Sequence, residues 1–472
     1  MAGNTGFIFG NALVITIDSE RRVIADGAVA VIGDTIVGVG KTDQIRTDFP
    51  DLPVHDYSHH IISPGLIDTH VHLSQAMFRA LGERNASSDS FHDWLYRLVL
   101  PMEGTMTPED GAASASLCIL EMLKSGTTSF LESMTSSNHG FDGIAQVCVD
   151  SGIRAALGKV VMDVPPAYRD RVGWPLSAWF EPDQGIAETL AAHKQWNGAA
   201  NGRIQVWFGC RTADESANPE LYRRVAAEAR DRDMHLTIHH SELESDNEYA
   251  RSQGYRSHMD YGYQLGLLGP RSVLTHCTAA DSEDIALLAS TGTSVANCPA
   301  NNATVAWGPT RVVEMLEAGV NVALGCDGTA SDANMDLLRD LRVLCQVART
   351  RGKSRNSLRA ETALEMATIH GARALGIADQ VGSLEVGKKA DLITIDTDVP
   401  HLSPIWNPVA SLVFAAQGSD VHTVVIDGKI VVKAREILTM DEAAIIADVK
   451  RRMPDIRQRA DVPAATPRWR TL

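Results

Sequence analysis

The chain has 472 residues, 44% hydrophobic and 22% charged, which excludes disorder and is too long for one small core. Its formal net charge of −16 repels phosphate backbones and anionic lipid, and so argues against nucleic acid and membrane as the main partner. The seven cysteines are dispersed without a CxxC pair and read as reduced thiols. Met1 to Asp18 lacks the basic and apolar pattern of a leader, and no apolar run reaches the roughly 18 residues that cross a bilayer. A cytoplasmic protein is expected.

In chain order, residues 7–17 and 28–40 are β-branched runs broken by Gly and Asp, and read as hairpin strands. Val37 to Thr42 looks like a fragment of a phosphate loop, but Thr35 stands where the first Gly is needed; a hairpin turn is expected there. The pattern then alternates. Apolar runs at 64–71, 126–132, 153–162, 203–210, 235–240, 273–277, 294–298 and 320–327 are each followed by helical spacing. Capping signals open two of those helices, at Thr107 to Asp110 and at Asp281 to Asp284.

Eight strand–helix units predict an α/β protein built on a (β/α)8 TIM barrel over residues 63–379. A doubly wound sheet is the runner-up, but it needs a Gly-rich turn after the first strand, where this chain has a His pair. Strand patterns return at 390–396 and 422–432, the latter with an Asp427-Gly428 turn signal. Strand-rich pieces at both chain ends can pair, so a small β-sandwich domain is expected from residues 1–62 and 380–440. Residues 441–472 read as a helix and a polar tail, a surface arm or a contact within a homo-oligomer. A GxxxxGK match at Gly382 to Lys388 is followed by Lys389 rather than Ser or Thr and lies outside the barrel, so it is set aside.

The chemistry concentrates at strand ends. His70 and His72 are two apart, so a strand presents both to one side. His239 ends the fifth run, followed by Glu242; His240 should face the opposite way, toward the helices. His276 ends the sixth run and Asp327 the eighth. Each alone has an ordinary structural reading. Their joint arrival at the C-terminal ends of strands one, five, six and eight does not, because barrel active sites sit there.

Three imidazoles and a carboxylate (His70, His72, His239 and Asp327) suit one divalent ion, Zn²⁺ with Fe²⁺ as the alternative. Such an ion lowers the pKa of water from about 16 toward about 7. Glu242 would then protonate a ring nitrogen or leaving group, His276 would hydrogen-bond the attacking water, and Asp327 would accept its proton. The fourth run, Arg203 to Cys210, contains no Lys to bridge a second metal, so one ion is expected.

These motifs carry a resemblance. SPGLIDTHVH, IHHSE, LTHC, CPANN and LGCDGTASDANMD resemble the amidohydrolase superfamily, in its branch of mononuclear aminohydrolases. DWL at Asp93 to Leu95, GRIQVW at 202–207 and the WRTL ending are similar to the s-triazine hydrolases. The S-adenosylhomocysteine/methylthioadenosine deaminases are also similar, and guanine deaminase more distantly so. The resemblance implies that His70, His72, His239 and Asp327 bind metal and that Glu242 and His276 form the catalytic pair. It implies hydrolytic removal of an amino group from a nitrogen heterocycle of triazine, purine or pterin type. Dechlorination of a chloro-s-triazine, amide or urea hydrolysis, and an inactive oligomeric scaffold are the alternatives. The chain departs from the pattern at Asn301-Asn302 and Ser331-Asp332, in loops on the catalytic side. Substrate contacts are expected from Gln75, Phe78, Phe91, Trp94, Glu132, Asn302, Trp307 and Ser331, whose rings can sandwich a flat heterocycle and whose polar groups can pair with its edge.

Overall fold

The computed structural model describes residues 6–81, 94–175, 181–214 and 217–462. Eight parallel strands follow one another in chain order: Leu66–Val71, Thr127–Thr135, Arg154–Val161, Ile204–Cys210, Leu236–His240, Ser272–His276, Ser294–Asn297 and Val322–Leu324. They coincide with the eight apolar runs. Their continuous hydrophobicity follows from burial on both faces. Ile67, Leu131, Ala156, Trp207, Val273, Ala296 and Ala323 pack together inside the barrel. The helix Ile369–Ala374, with Leu375 and Ile377, joins this cluster and closes the end where the strands begin.

The first and eighth strands meet at a seam. Asp327 N–H donates to the His70 carbonyl at 2.8 Å, and Val71 pairs with Asp327 in a parallel bridge. Deeper in the seam, Thr69 Oγ1 donates to the Leu324 carbonyl at 2.9 Å, and Cys326 N–H to Asp68 Oδ1 at 3.1 Å.

Both ends of the chain contribute to a second sheet of nine strands. From the N-terminal part come Gly6–Ile15, Val23–Ile32, Thr35–Lys41, Val54–Asp56 and His60–Pro64. From the C-terminal part come Leu392–Asp396, Val421–Ile426, Lys429–Lys433 and Glu436–Ile437. The two parts join where Leu392–Asp396 runs antiparallel to His60–Pro64. Asp427 and Gly428, with φ of 52° and 73°, make the two-residue turn expected of them.

The stretch at Gly38 and Gly40 is not the expected turn. It lies within the strand Thr35–Lys41, and Gly38 serves packing: a Cβ there would stand 2.7 Å from the Phe49 ring.

Capping boxes form at Thr107 with Asp110 and at Asp281 with Asp284, as read from the sequence. The helix Glu442–Arg459 docks on the helix Pro108–Lys124 through Arg452 and Arg459 on Asp110 and through Lys124 on Glu442. Its Ile456 is buried in the cluster that holds Leu95, Val99 and Leu100. No helix among the described residues is long and apolar enough to cross a membrane.

Candidate active site

The strand ends that carry the candidate residues are irregular for a reason. Ser241, His276 and Asp327 all have left-handed backbones, with φ of 53°, 71° and 71°. A non-glycine residue pays about 1–3 kcal/mol for such a conformation. At these positions each strand stops running along the barrel wall, and the chain turns at its mouth.

His70, His72, His239, His276, Glu242 and Asp327 converge there, all buried. Three overlapping groups (His70, His72 and His239; His70, His276 and Asp327; His239, Glu242 and His276) each bring one ligand atom per residue within 4.8 Å of the others. His72 Nε2 and His239 Nε2 are 3.3 Å apart. Asp327 Oδ1 stands 3.2 Å from His72 Nε2 and 3.5 Å from His70 Nε2. Asp327 Oδ2 lies 3.5 Å from His276 Nε2.

The far ring nitrogens of the His pair are held by hydroxyls. Thr275 Oγ1 lies 3.0 Å from His70 Nδ1, and Ser133 Oγ lies 3.2 Å from His72 Nδ1. These contacts aim the two Nε2 atoms inward. His70 Nε2 is buried and makes no hydrogen bond. Inward-facing imidazole nitrogens around one carboxylate, one of them orphaned, fit a divalent cation and not a hydrogen-bonded core.

Comparison with known proteins agrees with this geometry. The pattern of the amidohydrolase family matches residues 61–431. The chain belongs to the amidohydrolase family.

A 5-methylthioadenosine/S-adenosylhomocysteine deaminase from Syntrophobacter fumaroxidans is 34% identical over 93% of this chain and 96% of its own length. Among solved structures, a zinc-bound adenosine deaminase from Xanthomonas campestris superposes with a TM-score of 0.87 and 30% identity, covering 96% of this chain and 98% of that one. The zinc complex of atrazine chlorohydrolase from Arthrobacter aurescens, at 24% identity, shares the fold with a TM-score of 0.86 over 95% of this chain and 100% of its own.

Electrostatics in this amidohydrolase separate the acids. Burial pushes the Glu242 carboxyl up, nearby Asp246 adds to the shift, and the pKa reaches about 8 despite Arg211. Burial also acts on Asp327, but His70, His72 and His276 outweigh it and hold that carboxyl well below its ordinary range. Burial and the neighbouring imidazoles push His239 well down, so it stays a neutral donor. His276 Nδ1 is 3.0 Å from Asn302 Oδ1, and the Asn302 amide nitrogen donates to Thr310 Oγ1 at 3.3 Å.

The cavity beside this cluster is lined by Gln75, Trp94, Trp307 and Ser331, four of the expected contacts. Other expected contacts lie elsewhere. Asn302 is behind His276 and orients it. Phe78 is buried with Met77, Leu95 and Val99 and is not among the lining residues. Glu132 accepts from Leu73 N–H at 2.6 Å and Met134 N–H at 2.9 Å, and anchors the loop after His72 from beneath. Burial raises its carboxyl to about 7. Phe91 lies outside the described residues. His240 faces the helices, with Nε2 2.9 Å from the His258 carbonyl.

The two departures from the family pattern separate as well. Asn301 lines the cavity and accepts from Ser331 Oγ at 2.5 Å. Asp332 forms a two-point pair with Arg339 at 2.9 and 3.0 Å and accepts from Thr304 Oγ1 at 3.2 Å, so it braces the helix that follows against the segment that carries Asn301.

Sequence reasoning missed Arg211 and Glu103, both in the lining. Arg211 had a signal: it continues the alternation Gln205, Trp207, Gly209 one step past the fourth strand, toward the mouth. Glu103 accepts from Ser74 Oγ at 2.8 Å and Gln75 Nε2 at 3.2 Å; nothing in its local sequence distinguishes it.

Proposed function

We propose that this amidohydrolase removes the exocyclic amino group of an adenine nucleoside by hydrolysis, releasing ammonia. Two relatives at 30% identity or more are named as deaminases of adenosine-type compounds, and both match nearly end to end. His70, His72, His239 and Asp327 would hold one divalent ion, proposed to be zinc. When bound, that ion supplies the Lewis acidity that makes water a nucleophile at neutral pH.

The chain's own groups supply the rest. Glu242, raised to about 8, is protonated at neutral pH and can give its proton to a ring nitrogen as the ring loses aromaticity. Asp327 stays ionised and accepts the proton that the attacking water loses. Asn302 Oδ1 only accepts, so His276 carries its proton on Nδ1 and turns the Nε2 lone pair to the reacting water. The convergence of His70, His72, His239 and Asp327 with Glu242 and His276 at one cavity is the observation that carries this assignment.

The walls carry side chains suited to a flat, substituted ring. Trp94 and Trp307 bring aromatic rings to the lining, with Leu95, Leu100 and Met134 beside them. Gln75 and Arg211 offer donors to ring lone pairs, and the Glu103 carboxylate accepts hydroxyl hydrogens such as those of a ribose diol. All seven thiols are buried and unpaired, which supports the cytosol as the proposed setting.

The test is a panel of adenosine, 5′-methylthioadenosine, an aminopterin and a chloro-s-triazine, read for ammonia and chloride. Ammonia from the adenine nucleosides with an equivalent of zinc in the protein is expected. Chloride release alone, or no release from any nucleoside, overturns the reading.

A further inference from the structure

Glu242 reaches the cavity only because the chain kinks just before it. Ser241 has φ 53°, a conformation that a side chain disfavours, so something must hold it. Its N–H donates to His258 Nδ1 at 2.9 Å. The other ring nitrogen of His258, Nε2, lies 2.8 Å from the Ala213 carbonyl. A backbone N–H can only donate and a carbonyl can only accept, so Nδ1 bears the lone pair and Nε2 the proton.

The two backbone groups that this ring joins belong to different strand ends. Ser241 precedes Glu242 on the fifth. Ala213 follows Thr212 on the fourth, and Thr212 Oγ1 donates to Glu242 Oε1 at 3.3 Å. Arg211, which lines the cavity, is one residue further back. One buried imidazole therefore ties the backbone behind Glu242 to the loop that carries its partner.

The ring itself is immobilised. It is fully buried and stacks on His240 with ring centres 4.0 Å apart. His258 N–H donates to Asn247 Oδ1 at 2.9 Å, and the Asn247 amide donates to the Ala279 carbonyl at 3.1 Å. Ala279 N–H in turn donates to the Ser241 carbonyl at 2.9 Å. His258 opens the short helix His258–Gln264, outside every motif that marks the site.

We propose that His258 is a positioning residue for Glu242: by accepting from Ser241 N–H and donating to Ala213 it sets where the Glu242 carboxyl meets the substrate. Its contribution to turnover rests on Glu242 being the proton carrier; its control of the Ser241 kink does not.

The experiment compares His258→Leu, His258→Asn and His258→Gln in the metal-loaded protein, by crystal structure, metal content and deamination of adenosine. Asparagine returns an acceptor at the δ position, and glutamine returns a donor that reaches toward Ala213. In His258→Leu, Ser241 is expected to leave the left-handed region and the Thr212–Glu242 contact to break, with metal content unchanged. Its kcat should fall about 10- to 100-fold, the effect of a misplaced reacting group. KM should hold within about threefold, since substrate binding is not what is lost.

His258→Asn should recover most of that loss and His258→Gln should not. If leucine prevents folding, the asparagine and glutamine variants make the same comparison. An unmoved Ser241–Glu242 segment, or equal losses in asparagine and glutamine, overturns the proposal. Should the unaltered protein release no ammonia from adenosine, the functional reading fails, while the crystal structures still decide the role of His258.

Discussion

The two ends of the barrel bury charge in opposite ways. Where the strands begin, Arg154 is sealed between two carboxylates: its guanidinium meets Asp391 at 3.1 and 3.2 Å and Asp427 at 3.3 Å. Asp427 N–H also donates to Asp391 Oδ1 at 2.8 Å. Every group there has a partner within the chain, and the cluster joins the barrel to the outer sheet. Where the strands end, the balance is left open. Imidazole nitrogens face one another, His70 Nε2 has no hydrogen bond, and three left-handed residues hold the arrangement. Inward-facing nitrogens around one carboxylate keep the capacity to bind a further group. A junction that must only hold satisfies itself.

Substitutions at each end should separate the two behaviours. The largest effect is expected at the open end, in activity alone. Glu242→Gln and Asp327→Asn should each lower kcat by at least about 100-fold, the usual worth of a positioned acid or base. Their melting temperatures should stay near that of the unaltered chain; a large drop in melting temperature would mean that these groups also hold the fold together.

At the closed end the pattern should invert. Arg154→Met strands two buried carboxylates, which costs about 3–5 kcal/mol of stability. Thermal inactivation should come sooner, while kcat/KM at 25 °C is unchanged. Loss of activity in the fully folded variant would show that the two ends are coupled.

The smallest effect belongs to a pair of neither kind. Burial pushes the Asp110 carboxyl up, but the Thr107 backbone, Arg452 and Arg459 prevail and hold it below its ordinary value. The anchor of the helix Glu442–Arg459 is therefore fully present above that ordinary value and is lost as pH falls through the lower folded-state value. Asp110→Asn should cost about 1 kcal/mol or less, as expected of partly exposed pairs. Melting followed from pH 7 to pH 3 should show an acid-dependent loss that is smaller in the variant than in the unaltered chain.

The contrast also explains what could be read without a structure. Along a strand, alternation is set by backbone geometry, so the shared side of His70 and His72 and the opposed faces of His239 and His240 follow from spacing alone. The Asp427-Gly428 turn and the Thr107 and Asp281 caps follow from local backbone chemistry in the same way. The loops did not yield to such reasoning. Phe78 and Glu132 were expected at the substrate wall and instead pack or anchor behind it. Asn302 orients His276, and Asp332 is taken up by Arg339 and Thr304.

By itself, then, the sequence determined the eight strand–helix units, the convergence of His and Asp at strand ends and the pairing of the two chain ends, because these depend on local periodicity and on which face a residue takes. Only the tertiary structure decided that Arg211 and Glu103 line the cavity, that His258 holds the kink behind Glu242, and that Gly38 makes room for Phe49. Those depend on contacts between segments distant in the chain, whose meeting is set by barrel closure and helix packing and leaves no repeat in the order of residues.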